Sequence, residues 1–96
     1  MNRLKLAPAA RADLDAIWSY TAKNWNTDQA ESYIRNLTQA MRTLAQNPAL
    51  GKAIDDVRPG YLKFPTGSHV IYYRRTSTGI DVIRLLHKRM DADRHI

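Results

Sequence analysis

Tyr61-Leu62-Lys63-Phe64-Pro65-Thr66-Gly67-Ser68-His69-Val70-Ile71-Tyr72-Tyr73-Arg74-Arg75-Thr76-Ser77-Thr78-Gly79-Ile80-Asp81-Val82-Ile83-Arg84-Leu85-Leu86 reads as three strands broken by two turns. β-Branched and aromatic residues recur through Tyr61 to Phe64, His69 to Arg75 and Ile80 to Leu86, a composition suited to a pleated surface. Pro65-Thr66-Gly67-Ser68 and Thr76-Ser77-Thr78-Gly79 separate them, both turn-like and both containing glycine. Connections so short require antiparallel neighbours, hence a three-stranded meander. With alternating side chains, His69, Ile71, Tyr73 and Arg75 point one way and Val70, Tyr72 and Arg74 the other. In the last strand Val82, Arg84 and Leu86 oppose Asp81, Ile83 and Leu85.

Upstream the period changes. Arg3-Leu4-Lys5-Leu6 alternates as a short strand does, and Pro8 then opens a helix, where its missing N–H costs nothing. Ala10, Leu14, Ile17, Trp18, Thr21 and Trp25 fall on one face, so Trp18 and Trp25 are expected to pack in the core. Asn24-Trp25-Asn26-Thr27 interrupts that helix, with Thr27 as the expected N-cap of a second one and Asp28 at its positive end. Ala30, Tyr33, Ile34, Leu37, Met41, Leu44 and Ala45 form the second stripe, which Asn47-Pro48 ends. Pro48 to Pro59 reads as a connecting loop. The predicted fold is α+β, two-layer β-α-α-β-β-β, with a helical hairpin packed on one face of a mainly antiparallel sheet. The other face, carrying aromatics and arginines, is expected to be a binding surface.

The chain has 96 residues, enough for one domain, with 44% hydrophobic and 25% charged residues. Residues 1–96 therefore read as a single domain ending in a basic tail over about 87–96. There is no cysteine, which fits a cytoplasmic protein, and no run long and apolar enough for a membrane. Met1 to Leu14 lacks the continuous apolar core of a signal peptide. Net charge is +6. Residues 58–96 hold eight Lys/Arg against three Asp/Glu, whereas residues 1–57 hold seven against six. The bias belongs to the C-terminal half and favours an acidic partner.

The tail His87-Lys88-Arg89-Met90-Asp91-Ala92-Asp93-Arg94-His95-Ile96 holds two of the three histidines. That density of donors suits contact with something outside the domain. Its residues also have structural readings. His87 can bond the tail to the sheet, and Asp91 can cap a last helical turn or pair with Arg94. Met90 is expected to anchor the tail in the core rather than touch a target. Arg84 is expected to pair with a helix carboxylate such as Asp13 or Asp15, and His69 to be structural. His87, His95, Asp91 and Asp93 lack a compact ligand motif, so neither a metal nor a cofactor is expected.

Five stretches resemble the RelE/ParE superfamily of toxins from bacterial toxin–antitoxin pairs: Ala9 to Trp18, Asn47-Pro48 with Gly51, Arg58-Pro59-Gly60-Tyr61, Gly67 to Arg74, and Ile83 to Asp91. The closing Leu-His-x-x-Met-Asp, with His95 following, is similar to the ParE branch. This resemblance implies a non-enzymatic toxin component of a type II toxin–antitoxin system that inhibits DNA gyrase by binding it. It also implies a ParD-like antitoxin partner and a tail tied to toxicity, here His87, Lys88, Arg89, Met90, Asp91, Arg94 and His95. For the antitoxin surface the candidates are Tyr20, Arg58, Tyr73 and Arg74.

The alternative is the RelE branch, ribosome-dependent mRNA endonucleases. Attack of a ribose 2′-OH on phosphate needs proton carriers and cations for the developing charge. Lys63, Arg84, Arg89 and His95 are the candidates for that chemistry. RelE-type sites carry more basic residues on the middle strands than this chain does. Direct nucleic-acid binding by a basic module is the weakest reading and is not expected.

Overall fold

The computed structural model describes residues 3–96; Met1 and Asn2, part of the stretch read above for a leader, lie outside the described residues. Elements follow in the order β1 (Arg3–Leu6), α1 (Pro8–Asn24), α2 (Thr27–Gln46), β2 (Lys52–Ala53), β3 (Tyr61–Thr66), β4 (His69–Arg75), β5 (Gly79–His87) and α3 (Ala92–His95). A 3-10 turn, Pro48–Leu50, precedes β2. The strands form one sheet in the order β1-β5-β4-β3-β2. The meander is antiparallel throughout, whereas β1 runs parallel to β5, Arg3 opposite Gly79 and Leu6 opposite Val82. This is the α+β architecture expected, with the helical hairpin on one face.

Several local features differ from the sequence reading. The loop between α2 and β3 contains β2, whose two residues pair with Leu62 and Lys63. Two residues carry no measurable periodicity, so the strand had no signature to read. The cap of α2 is Asn26, not Thr27: its side chain accepts the Gln29 N–H at 2.7 Å. Gly67, at φ 59°, takes the left-handed position of the β3–β4 turn.

The alternation in β5 does not run through. Tyr72 pairs with Arg84 but Tyr73 pairs with Val82, so Ile83 is an extra, bulged residue. A bulge reverses parity. Ile80 and Val82 before it, and Leu85 after it, all join the core beneath the helices. That core gathers Leu37, Met41 and Leu44 of α2 against Ile71 and Tyr73 of β4.

The sheet's other face is not open. A second cluster of Ile54, Val70, Tyr72 and Leu86 lies there, covered by Val57, Tyr61, Ala92 and Ile96. Loop and tail thus close the face that the sequence reading left as a binding surface. Trp18 and Trp25 are corrections as well: they are 37% and 73% exposed. The buried strip of α1 is narrow, Ala10 and Ile17 alone, and Trp25 follows the helix's last residue with non-helical angles. Helical projection therefore does not apply to it.

Candidate functional site

α1, the start of β4 and the end of β5 border an open hollow of about 360 Å³, lined by Ile17, Tyr20, His69, Leu85, His87 and Met90 among others. A second hollow of about 250 Å³ adjoins it, bounded by Trp25, Gln29 and Tyr33 and sharing Tyr20, Thr21, His69 and His87. Together they make one groove. Tyr20 (68% exposed), Trp25 and Met90 stand on its walls, an apolar patch of the residue types enriched where proteins meet.

The groove's polar centre is a histidine pair. His69 and His87 are cross-strand partners, so their rings stack edge to face with centroids 5.4 Å apart. The Ser68 N–H donates to the Tyr33 hydroxyl at 3.0 Å, leaving the hydroxyl hydrogen for His69 Nδ1 at 2.6 Å. The Arg89 N–H donates to His87 Nδ1 at 3.2 Å. A main-chain N–H only donates, which places the His87 ring proton on Nε2. Burial holds His69 below the ordinary histidine pKa, the neighbouring His87 adds to this, and Asp13 opposes it.

Asp13 organises the groove's lower wall. Its carboxylate accepts Arg84 Nε at 2.8 Å, Arg84 Nη2 at 2.9 Å and the Leu85 N–H at 2.9 Å. The geometry is that of a bidentate guanidinium–carboxylate pair. Its reason lies in the topology. β1 pairs only with Gly79 to Val82 of β5, and Asp13 serves the edge N–H beyond that strand's reach. The pair raises the Arg84 pKa, chiefly through the hydrogen bond that Arg84 donates to Asp13.

Beyond β5 the tail is structured. The Lys88 N–H reaches Ser68 O at 3.0 Å and the Met90 N–H reaches His87 O at 2.8 Å. Asp91 caps α3 by accepting the Asp93 N–H at 3.1 Å. Ala92 and Ile96 pack on the second cluster, while Lys88, Arg89, Asp91, Arg94 and His95 are exposed. Met90, expected to anchor the tail in the core, is instead 39% exposed on the groove wall, and Ala92 and Ile96 do the anchoring.

The antitoxin candidates scatter. Tyr20 lies in the groove, whereas Arg74 is paired with Asp81 at 3.1 Å on the far part of the sheet. Arg58 donates to the Ile96 main-chain oxygen and lies 5.8 Å from the Tyr61 ring centre. Tyr73 is a correction: it is wholly buried and has no surface to offer a partner. Its hydroxyl donates to Pro48 O at 2.7 Å and accepts the Gly51 N–H at 2.8 Å. A Cβ on Gly51 would fall 2.0 Å from that oxygen, which is why glycine stands there.

The nuclease candidates are not assembled. Lys63, Tyr72 and Arg84 share one cross-strand row, so Lys63 and Arg84 are two strand spacings apart, roughly 10 Å. Arg84 is committed to Asp13, while Arg89 and His95 lie exposed in the tail. Among the described residues no hydrogen bond joins these four side chains; Arg84 meets only the main-chain oxygen of His95. No group of three or more His, Cys, Asp or Glu is placed to hold a metal among them either. Sequence reading missed Tyr33 and Trp25 as groove residues, because both belonged to stripes read as core.

The fold and site define a small α+β domain: a two-layer scaffold with an apolar groove and a basic, docked tail. Comparison with known proteins places it. The family model "ParE toxin of type II toxin-antitoxin system, parDE" matches residues 4–92. Toxin ParE1 of Mycobacterium tuberculosis is 50% identical over 96 residues, 99% of this chain and 98% of that protein. Toxin ParE1 of Caulobacter vibrioides is 36% identical, covering 100% and 99%. A solved structure described as the chromosomal ParDE TA system from P. aeruginosa shares the fold, with a TM-score of 0.75 at 21% identity over 88% of this chain and 92% of that one. The chain belongs to the family of ParE toxins of type II toxin–antitoxin systems.

Proposed function

We propose that this toxin acts by binding DNA gyrase through its tail, without chemistry of its own, and that a ParD-like antitoxin neutralises it by seating in the groove. One observation carries the reading: the tail is docked by Ala92 and Ile96 with Lys88, Arg89, Arg94 and His95 exposed. A preorganised element of that kind spends little ordering entropy on binding. The groove, with Tyr20, Trp25 and Met90 exposed and a basic half around it, suits an antitoxin segment bearing apolar helix anchors and acidic side chains. No helix among the described residues is long and apolar enough to cross a membrane, which accords with a cytoplasmic site of action.

The RelE-type alternative finds less support, since Arg84 is neutralised by Asp13 and Tyr72, between Lys63 and Arg84 in their cross-strand row, is buried in the cluster that Ala92 and Ile96 pack against. Induction without antitoxin, assayed side by side for gyrase-dependent DNA breaks and for cleaved messages, tests the two. Breaks without message cleavage are expected. Codon-phased cleavage with intact DNA overturns the proposal.

A further inference from the structure

We propose that Arg58 and Arg84 are positioning residues: a pair of guanidinium arms that hold the tail in its working path. The inference rests on the reading that the tail carries the target contact.

α3 has only four residues, and so short a helix has almost no stability of its own, isolated helices being marginal below about 12 residues. Its internal ties are few: Arg94 N–H to Asp91 O at 3.1 Å and Ile96 N–H to Ala92 O at 3.0 Å. Something outside the tail must fix it. Ala92 and Ile96 supply an apolar footing, but two small contacts set no direction.

Direction comes from the main-chain oxygens. Arg84 Nη1 donates to His95 O at 3.2 Å, and Arg58 Nη2 donates to Ile96 O. These are successive main-chain oxygens at the helix's negative end, where cations are favoured. The two arms come from separate elements, Arg84 from β5 and Arg58 from the loop before β3. Each is itself held. Asp13 grips Arg84 through Nε and Nη2, leaving Nη1 for the tail, and Tyr61 lies beneath Arg58. A planar fork already fixed on one side loses little freedom in making the next bond. Because the arms address only main-chain atoms, they set where Arg94 and His95 stand without specifying which residues occupy those positions.

The test uses the full chain with Arg58→Ala, Arg84→Lys and both together, beside a deletion of residues 88–96. Arg84→Lys keeps a cation for Asp13 but cannot also span to His95. Exchange of the Arg94 and Ile96 amides is expected to quicken by about tenfold in each single variant and further in the double. Growth inhibition should fall in step, while Arg58→Ala leaves the urea midpoint near the wild-type value, which general unfolding would not allow. Arg58→Lys, which keeps the charge, should recover part of the inhibition. Unchanged exchange, or faster exchange with undiminished toxicity, overturns the proposal. An inert deletion beside fully toxic arginine variants removes the clamp and leaves the tail reading standing; a toxic deletion removes both. If Arg84→Lys fails to fold, the exposed Arg58→Ala decides the outcome alone.

Discussion

His69 and His87 face one another across β4 and β5 with ring planes 80° apart, and His69 is held below its ordinary pKa by burial and by that neighbour. The unfolded chain therefore binds more protons than the folded one between the ordinary value of 6.5 and the depressed one. Stability from this site is complete above 6.5 and is lost as pH falls through that window. Urea denaturation from about pH 7.5 down to about pH 5 should show the loss, and His69→Gln should flatten it. An equal slope in both proteins counts against this assignment.

Asp13→Ala should be among the costliest polar changes in the chain. It strands a guanidinium whose side chain is 23% exposed and leaves the Leu85 N–H without its acceptor. A loss of about 2–4 kcal/mol is expected in the unfolding free energy. A change below about 0.5 kcal/mol, the scale of an ordinary surface substitution, contradicts the role assigned to this carboxylate.

Tyr73→Phe removes one oxygen and orphans two main-chain groups, Pro48 O and the Gly51 N–H. The ring still fits, so the cost is polar, about 1–3 kcal/mol. It should appear as a lower urea midpoint with an unchanged slope. Unaltered antitoxin affinity is expected too, since the side chain is buried.

Trp25→Ala and Tyr20→Ala separate binding from folding. Both side chains are largely exposed, so melting should be nearly unaffected. If the groove seats the antitoxin, calorimetric affinity should fall by about 2 kcal/mol at one or both, as for aromatic anchors elsewhere. Wild-type affinity in the double variant would move the antitoxin to another surface.

The meander, the hairpin and the C-terminal end of α2 were legible because each rests on a local signal: two glycine-bearing turns, an apolar stripe, and Pro48 after Asn47. The Arg84–Asp13 pair was legible as one of two options, because a mid-strand arginine needs a carboxylate from the covering helix. The bulge at Ile83 was not, since strict alternation in the sequence hides an extra residue. Nor was the second cluster, whose cover comes from Val57 and Ile96, far from β4 in sequence and carrying no period. Tyr73 went wrong for a related reason. It was read as a partner-binding aromatic, but it lies beneath the hairpin with its one polar atom already satisfied.

β5 lies between β1 and β4 and pairs with both, and it is the sole strand partner of β1 among the described residues. A nascent chain ending before Gly79 has its helices but no platform for β1 and no partner for the inner side of β4. Contacts between such distant segments are slow to form, and the apolar stripe of α2 stays uncovered until they do. The scaffold that carries both groove and tail therefore closes only once β5 has been made.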